Sequence, residues 1–132
     1  LVGDKKKIII VDDDKAVLES LEKLLVLSGF EALSTSEPRE AVSKIKAFKP
    51  SIILLDLLMP HLGGLEICEI LNADKDTQGI PIIVLSALDK EADIKKAYYL
   101  GVVDYITKPY DFQDLLRKIN KAVFYKDERP GL

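Results

Sequence analysis

Five residues have the types and the spacing to do chemistry together: Asp12 and Asp13, Asp56, Ser86 and Lys108. Each follows a short strand-like run, "IIIV" before the aspartate pair, "IILL" before Asp56, "IIVL" before Ser86 and "DYIT" before Lys108. Were those runs parallel strands of one sheet, all five side chains would meet at one edge. Carboxylates several ångströms apart cannot all stay ionised in a partly desolvated cleft unless a cation joins them, because like charges push one another's pKa upward. An oxygen-only set with room for water and no histidine or thiolate suits Mg2+ and disfavours zinc. A carboxylate can attack phosphorus to give an acyl phosphate, and phosphoryl transfer asks chiefly for positioning and for neutralisation of the equatorial oxygens. Mg2+ held by Asp13 and Asp56 would take one oxygen, the Lys108 ammonium a second, and the Ser86 hydroxyl with a backbone N–H the third.

The elements that must position these groups are written in the hydrophobic pattern, where short apolar runs alternate with period-3.6 stretches. Strands are expected over 7–11, 31–34, 51–55, 80–85 and 104–106. The first, third and fourth are continuously apolar, as in a parallel sheet buried on both faces. Helix one presents Val17, Leu18, Leu21, Leu24 and Leu25 and stops at Gly29. Helix two, over about 37–47, takes Ser36 as its cap, tolerates Pro38 in its first turn and buries Val42, Ile45 and Phe48. Helix three, about 65–72, turns Leu65, Cys68 and Leu71 inward; helix four, about 90–100, ends at Gly101 with Ile94, Ala97 and Tyr98 on one side. Helix five starts at the cap Asp111 and carries Phe112, Leu115, Leu116, Ile119 and Val123. Five βα units with right-handed crossovers favour an α/β, doubly wound (βα)5 three-layer sandwich with a five-stranded parallel sheet of order 2-1-3-4-5. Ligands of such sheets bind at the C-terminal strand ends beside strand one.

Composition bounds the remaining choices. A chain of 132 residues is the size of one domain, and 48% hydrophobic with 31% charged residues is ordinary for a folded one. The longest apolar runs fall far short of the ~20 residues of a membrane span, and "LVGDKKK" precedes too short an apolar stretch for a signal peptide, so a cytoplasmic protein is expected. Cys68 is the only cysteine, which excludes an intrachain disulfide and leaves it as a small packing side chain. A net charge of −3 argues against direct nucleic-acid binding. A flavin or dinucleotide would want a Gly-rich loop where this chain has "DDDK".

Each piece has a bland alternative. Asp13 or Asp14 could cap helix one, and for Asp14 that is the preferred reading. A lone Lys108 before Pro109 would be a solvated loop lysine, Ser86 alone unremarkable, and Tyr105 half-buried packing. His61, the sole histidine, sits in a Pro/Gly loop and reads as a surface residue. Only their joint placement at successive strand ends favours chemistry.

In the same segments the sequence resembles the receiver domain of bacterial two-component response regulators. "IIIVDDD", "SIILLDLLMPHLGG", "PIIVLSA" and "GVVDYITKPYDF" stand in that family's order and spacing. The resemblance implies that Asp56 is the phosphoacceptor, that Asp13 ligates Mg2+ directly and Asp12 largely through water, and that the Leu58 backbone carbonyl completes the protein ligands. It further implies that Ser86 and Lys108 contact the phosphoryl group and that Tyr105 is an aromatic switch. The donor would be a histidine kinase or histidine phosphotransfer protein, the receiver being no enzyme beyond catalysing its own phosphorylation and dephosphorylation. Output would run through the face of helix four, strand five and helix five, to an effector domain or a second copy. Val103 replaces the family's usual acidic residue, and Ile94 and Tyr99 stand where one branch has lysine and glutamate. The expected face is therefore apolar and aromatic, from Ile94, Tyr98, Tyr99 and Val103.

Two other classes fit the residues less well. A phosphorylation-independent docking module of receiver fold would not need the set Asp13, Asp56, Ser86 and Lys108. A magnesium-dependent phosphatase with an aspartyl nucleophile wants a second aspartate two residues on, where Leu58 stands. Residues 1–125 are expected to be the receiver and 126–132 a tail or the start of a linker.

Overall fold

The structure, a computed structural model, describes residues 5–59 and 62–128, with side chains as far as Phe124. His61 lies outside the described residues. Ten elements alternate along the chain: β1 (Lys7–Val11), α1 (Lys15–Leu27), β2 (Glu31–Thr35), α2 (Pro38–Phe48), β3 (Ile52–Leu55), α3 (Gly64–Ala73), β4 (Ile82–Ser86), α4 (Glu91–Tyr99), β5 (Asp104–Thr107) and α5 (Phe112–Glu128). The five strands are parallel in the order β2-β1-β3-β4-β5.

Because strand side chains alternate, an apolar run of four or more must find oily neighbours on both faces. Ile8 and Ile10 pack with Leu18, Leu21 and Leu25 of α1 and with Leu115, Ile119 and Val123 of α5. Ile9 and Val11 pack oppositely, with Ala41 and Ile45 of α2, Ile67, Cys68 and Leu71 of α3, and Ala97 of α4. Burying each such isoleucine or leucine contributes about 1.5–3 kcal/mol, which fixes the strands against sliding. The register sets the site. Val11 pairs with Leu55, Leu55 with Val84 and Ser86 with Thr107, so Asp12, Asp56, Ser86 and Lys108 all leave the sheet at one edge.

The ends of the elements differ from expectation for identifiable reasons. β4 begins at Ile82, not at 80, since the Ile80 N–H is spent on the Thr77 carbonyl at 3.0 Å and Pro81 has none to give a ladder. The cap of α2 is Glu37, not Ser36: Pro38 at the first helical position forces the residue before it into extended backbone, and the Glu37 carboxylate accepts the Arg39 N–H. Leu24, expected in the buried stripe of α1, is 40% exposed because Leu18, Leu21 and Leu25 centre that stripe away from it. α1 does end as expected: Gly29 at φ 98° lets its own N–H reach the Val26 carbonyl and that of Phe30 the Leu25 carbonyl. α5 continues to Glu128, three residues into the segment expected as tail, no breaker standing before Pro130. Among the described residues no helix is long and apolar enough to cross a membrane.

Candidate functional site

At the carboxyl edge of the sheet, three strand ends repeat one local device. A side-chain oxygen accepts the backbone N–H two residues further on: Asp12 Oδ1 from Asp14 at 3.0 Å, Asp56 Oδ1 from Leu58 at 3.1 Å and Ser86 Oγ from Leu88 at 3.2 Å. Short polar side chains make such turns where a ladder ends. The turns fix each group in place before any ligand is considered.

The second oxygens of the two buried aspartates face a shared cation. Lys108 Nζ lies 2.8 Å from Asp12 Oδ2 and 3.3 Å from Asp56 Oδ2. Asp12 and Asp56 are only 4% and 7% exposed, whereas Asp13 is open to solvent. Asp12, Asp13 and Asp56 each offer one oxygen, all three within 4.8 Å of one another. Burial is the largest influence on the Lys108 ammonium and works against its charge, but the Asp12 and Asp56 carboxylates together outweigh it and hold the ammonium above the ordinary lysine value. Two buried carboxylates and a third at the mouth stand against one ammonium, so the cluster carries unbalanced negative charge.

Asp14 separates from the run. Its carboxylate accepts the Ala16 and Val17 N–H groups and caps α1, the role expected of it. Ser86 is fully buried as the last residue of β4. Tyr105 donates its hydroxyl to the Leu88 carbonyl at 2.7 Å, so Leu88 is tied to Ser86 through its N–H and to Tyr105 through its C=O. Burial pushes the Tyr105 hydroxyl up, the Ser86 contact opposes it, and the negative charges of Asp93, Asp56 and Asp89 add to the rise. Leu58, two residues past Asp56, is 49% exposed at the rim.

Two features escaped the sequence reading. Tyr110, half-buried, feels both Lys108 and Asp12, although burial is what chiefly raises its hydroxyl. Gly64 packs directly beneath Asp56; the only signal was the pair Gly63-Gly64 between strand three and helix three. Away from the site, Tyr98, Tyr99 and Val103 are exposed on α4 and at the foot of β5, while Ile94 is half-buried.

Residues 8–120 match the family described as "Response regulator receiver domain". Among curated relatives, the alkaline phosphatase synthesis transcriptional regulatory protein PhoP of Bacillus subtilis is 35% identical over 123 residues, 93% of this chain and 50% of that protein. The DNA-binding response regulator MtrA of Mycolicibacterium paratuberculosis is 29% identical over 127 residues, 96% of this chain and 55% of that protein. The chain thus spans about half the length of these relatives. Among solved structures, a CheY-like receiver domain protein of Methanospirillum hungatei superposes with a TM-score of 0.89 at 28% identity, over 95% of this chain and 98% of that one. The receiver domain of a signal transduction histidine kinase of Syntrophus aciditrophicus gives 0.85 at 28% identity, over 96% of both chains. Matched by that family over residues 8–120, the chain belongs to the response regulator receiver domain family of two-component systems.

Proposed function

We propose that Asp56 accepts a phosphoryl group from a phosphohistidine on a histidine kinase or histidine phosphotransfer protein, and that the acquired charge switches the face of α4, β5 and α5. The observation that carries this reading is the single ammonium of Lys108 joining the carboxylates of Asp12 and Asp56, with an Asp13 oxygen within 4.8 Å of both. A carboxylate oxygen of Asp56 attacks phosphorus, the P–N bond breaks, and the imidazole leaves with its electron pair and takes a proton. Lys108 turns from the carboxylates to the incoming phosphoryl oxygens and keeps its charge throughout.

The donor set suits Mg2+: it is all oxygen, open at Asp13, and compact enough for an octahedral ion whose opposite ligands stand roughly 4 Å apart. Asp13, Asp56 and the Leu58 carbonyl would hold the ion, with Asp12 acting through water, and the bound ion would neutralise charge on the transferring group. Ser86 would donate its hydroxyl to a phosphoryl oxygen. The inward rotation of the side chain that this requires takes Oγ away from the Leu88 N–H, loosens the residue whose carbonyl holds Tyr105, and lets the ring turn inward. Leu58 and Leu88 form an apolar rim that slows water's attack on the acyl phosphate; a phosphoprotein half-life of seconds would count against that part.

The exposed Tyr98, Tyr99 and Val103 supply the output face, with an effector domain or a second copy as partner. Residues 1–125 act as the receiver, in the cytoplasm. The domain itself makes no direct nucleic-acid contact, in keeping with its net charge of −3; a DNA-binding role such as that of the DNA-binding response regulator MtrA would fall to a region outside it. The test is incubation with Mg2+ and acetyl phosphate, read by intact mass. The wild type should gain one phosphoryl group, and neither Asp56→Asn nor metal-free protein should. Uptake independent of Asp56 overturns the reading.

A further inference from the structure

The turn between β3 and α3 holds a close contact for which the proposed chemistry has so far given no role. Gly64 opens α3, is buried, and donates its N–H to the Leu57 carbonyl at 3.3 Å. A Cβ placed on it would lie 2.5 Å from the Asp56 carbonyl oxygen, 2.6 Å from Leu57 Cα and 2.8 Å from Leu57 Cδ2. The first two are backbone atoms, which cannot swing aside as a side-chain tip does. Gly63 is a natural contrast, for a Cβ there would meet only Glu66 Oε1, at 3.9 Å. Anything larger than glycine at position 64 must therefore move either α3 or the 56–58 turn. α3 is locked into the core by Ile67, Cys68 and Leu71, all essentially inaccessible, so the turn is what yields.

That turn carries the chemistry. Asp56 Oδ1 accepts the Leu58 N–H at 3.1 Å and Oδ2 faces Lys108 at 3.3 Å. We infer that Gly64 is a positioning residue: its missing side chain lets α3 seat against the Asp56 backbone and thereby sets where the Asp56 carboxylate and the Leu58 carbonyl stand relative to Asp12, Asp13 and Lys108. Its importance for metal and phosphoryl binding rests on the function proposed above. Its effect on the Asp56 turn does not.

Isotope-labelled full chain tests this by NMR, first without metal and then through a Mg2+ titration, beside thermal melts. In metal-free Gly64→Ala the Leu58 amide should shift and lose exchange protection, and Mg2+ affinity should fall about 10-fold or more, as for other groups that orient metal ligands. Gly63→Ala should match wild type in both. Leu71→Ala, a cavity in the same helix, should lower the melting temperature yet leave the Leu58 amide and Mg2+ affinity unchanged. Adding Leu57→Ala to Gly64→Ala removes the Cδ2 contact but neither backbone contact, so affinity should stay low. The inference is overturned by a wild-type Leu58 amide and affinity in Gly64→Ala, by rescue through Leu57→Ala, by an equal loss in Leu71→Ala, or by a Gly64→Ala chain that does not fold. A wild-type chain that ignores Mg2+ would instead sink the proposed function, with the metal-free Leu58 amide still testing the placement of Asp56.

Discussion

Two lysine–carboxylate contacts at different places in this fold show what turns an ion pair into a site. Lys46 of α2 meets Asp74, the cap that ends α3, at 2.5 Å, closer than either contact of Lys108. Yet the Lys46 pair is partly open to solvent, Asp76 adds only a lesser pull on the ammonium, and the two partners chiefly satisfy each other: the hydrogen bond from Lys46 holds Asp74 below the usual carboxylate range, and the same bond holds Lys46 above the usual lysine value. Lys108 stands between two nearly inaccessible carboxylates with a third at the mouth. Burial works against its charge, and the two carboxylates together outweigh that cost. Shortness of contact does not distinguish the two regions. Burial and unequal charge do, and they leave one region balanced and the other with negative charge in excess.

Removing Lys108 should break that comparison most severely. Lys108→Ala leaves Asp12 and Asp56 buried without their counter-charge, which costs about 3 kcal/mol, or roughly 10 °C of melting temperature at neutral pH for a chain of this length. In the wild type the raised ammonium contributes stability that is fully present below its ordinary value of 10.5 and is lost only as pH climbs past it. A Lys108→Ala melt indistinguishable from wild type would remove the unbalanced cluster from the account.

Asp13 separates stability from binding. It is exposed, and in metal-free buffer its carboxylate only adds repulsion to the cluster, so Asp13→Ala should melt at or slightly above wild type there. Added Mg2+ at about 100 times its Kd should stabilise the wild type by about 2.7 kcal/mol. Asp13→Ala should forfeit most of that gain, and an undiminished response would remove Asp13 from the ligand set.

Cys68 supplies a third kind of burial, with no charged partner. Loss of hydration pushes its thiol up from 9.0 to about 12. The folded state keeps its proton longer than the unfolded state, so stability is intact below pH 9 and falls as pH rises from 9 toward 12. At pH 10 the loss is about 1 kcal/mol, or about 4 °C. Melts at pH 8 and pH 10 should show that drop in wild type beyond whatever Cys68→Ala shows, because the alanine variant lacks the titrating group.

Much of this was legible in the chain and some was not, for physical reasons. Strands such as "IIIV" and "SIILL" announce burial on both faces, and the handedness of βα crossovers then leaves little choice of sheet order. Asp12, Asp56, Ser86 and Lys108 could be read because each ends a strand, and strand ends of a parallel sheet share an edge. Side-chain direction across the sheet was not written there. Nothing local says that Lys108, expected to contact the phosphoryl group, would bond to Asp12 from 96 positions away. Leu24 was misplaced because a helical stripe is centred by its neighbours in space. The cap of α2 was misread by one residue because Pro38 displaced it from the better capping residue, Ser36, to Glu37. Gly64 was silent because a missing side chain matters only through what lies beneath it.

The smallest expected effect closes the comparison. Lys46→Ala deletes the shorter of the two contacts, and a judgement by distance would place it among the costly changes. Both of its partners are solvated, 42% and 27% exposed as side chains, so water and salt replace much of what either gives the other. Asp74 keeps a second donor in the Asp76 N–H at 2.9 Å, so its carboxylate is not stranded. The melting temperature should move by no more than about 2 °C, and less still in high salt. Mg2+ affinity should not change, since the pair sits among α2 and the loop after α3 rather than at the strand ends. A loss as large as that of Lys108→Ala would mean that contact length governs these pairs after all, and the physical distinction between the two regions would fall with it.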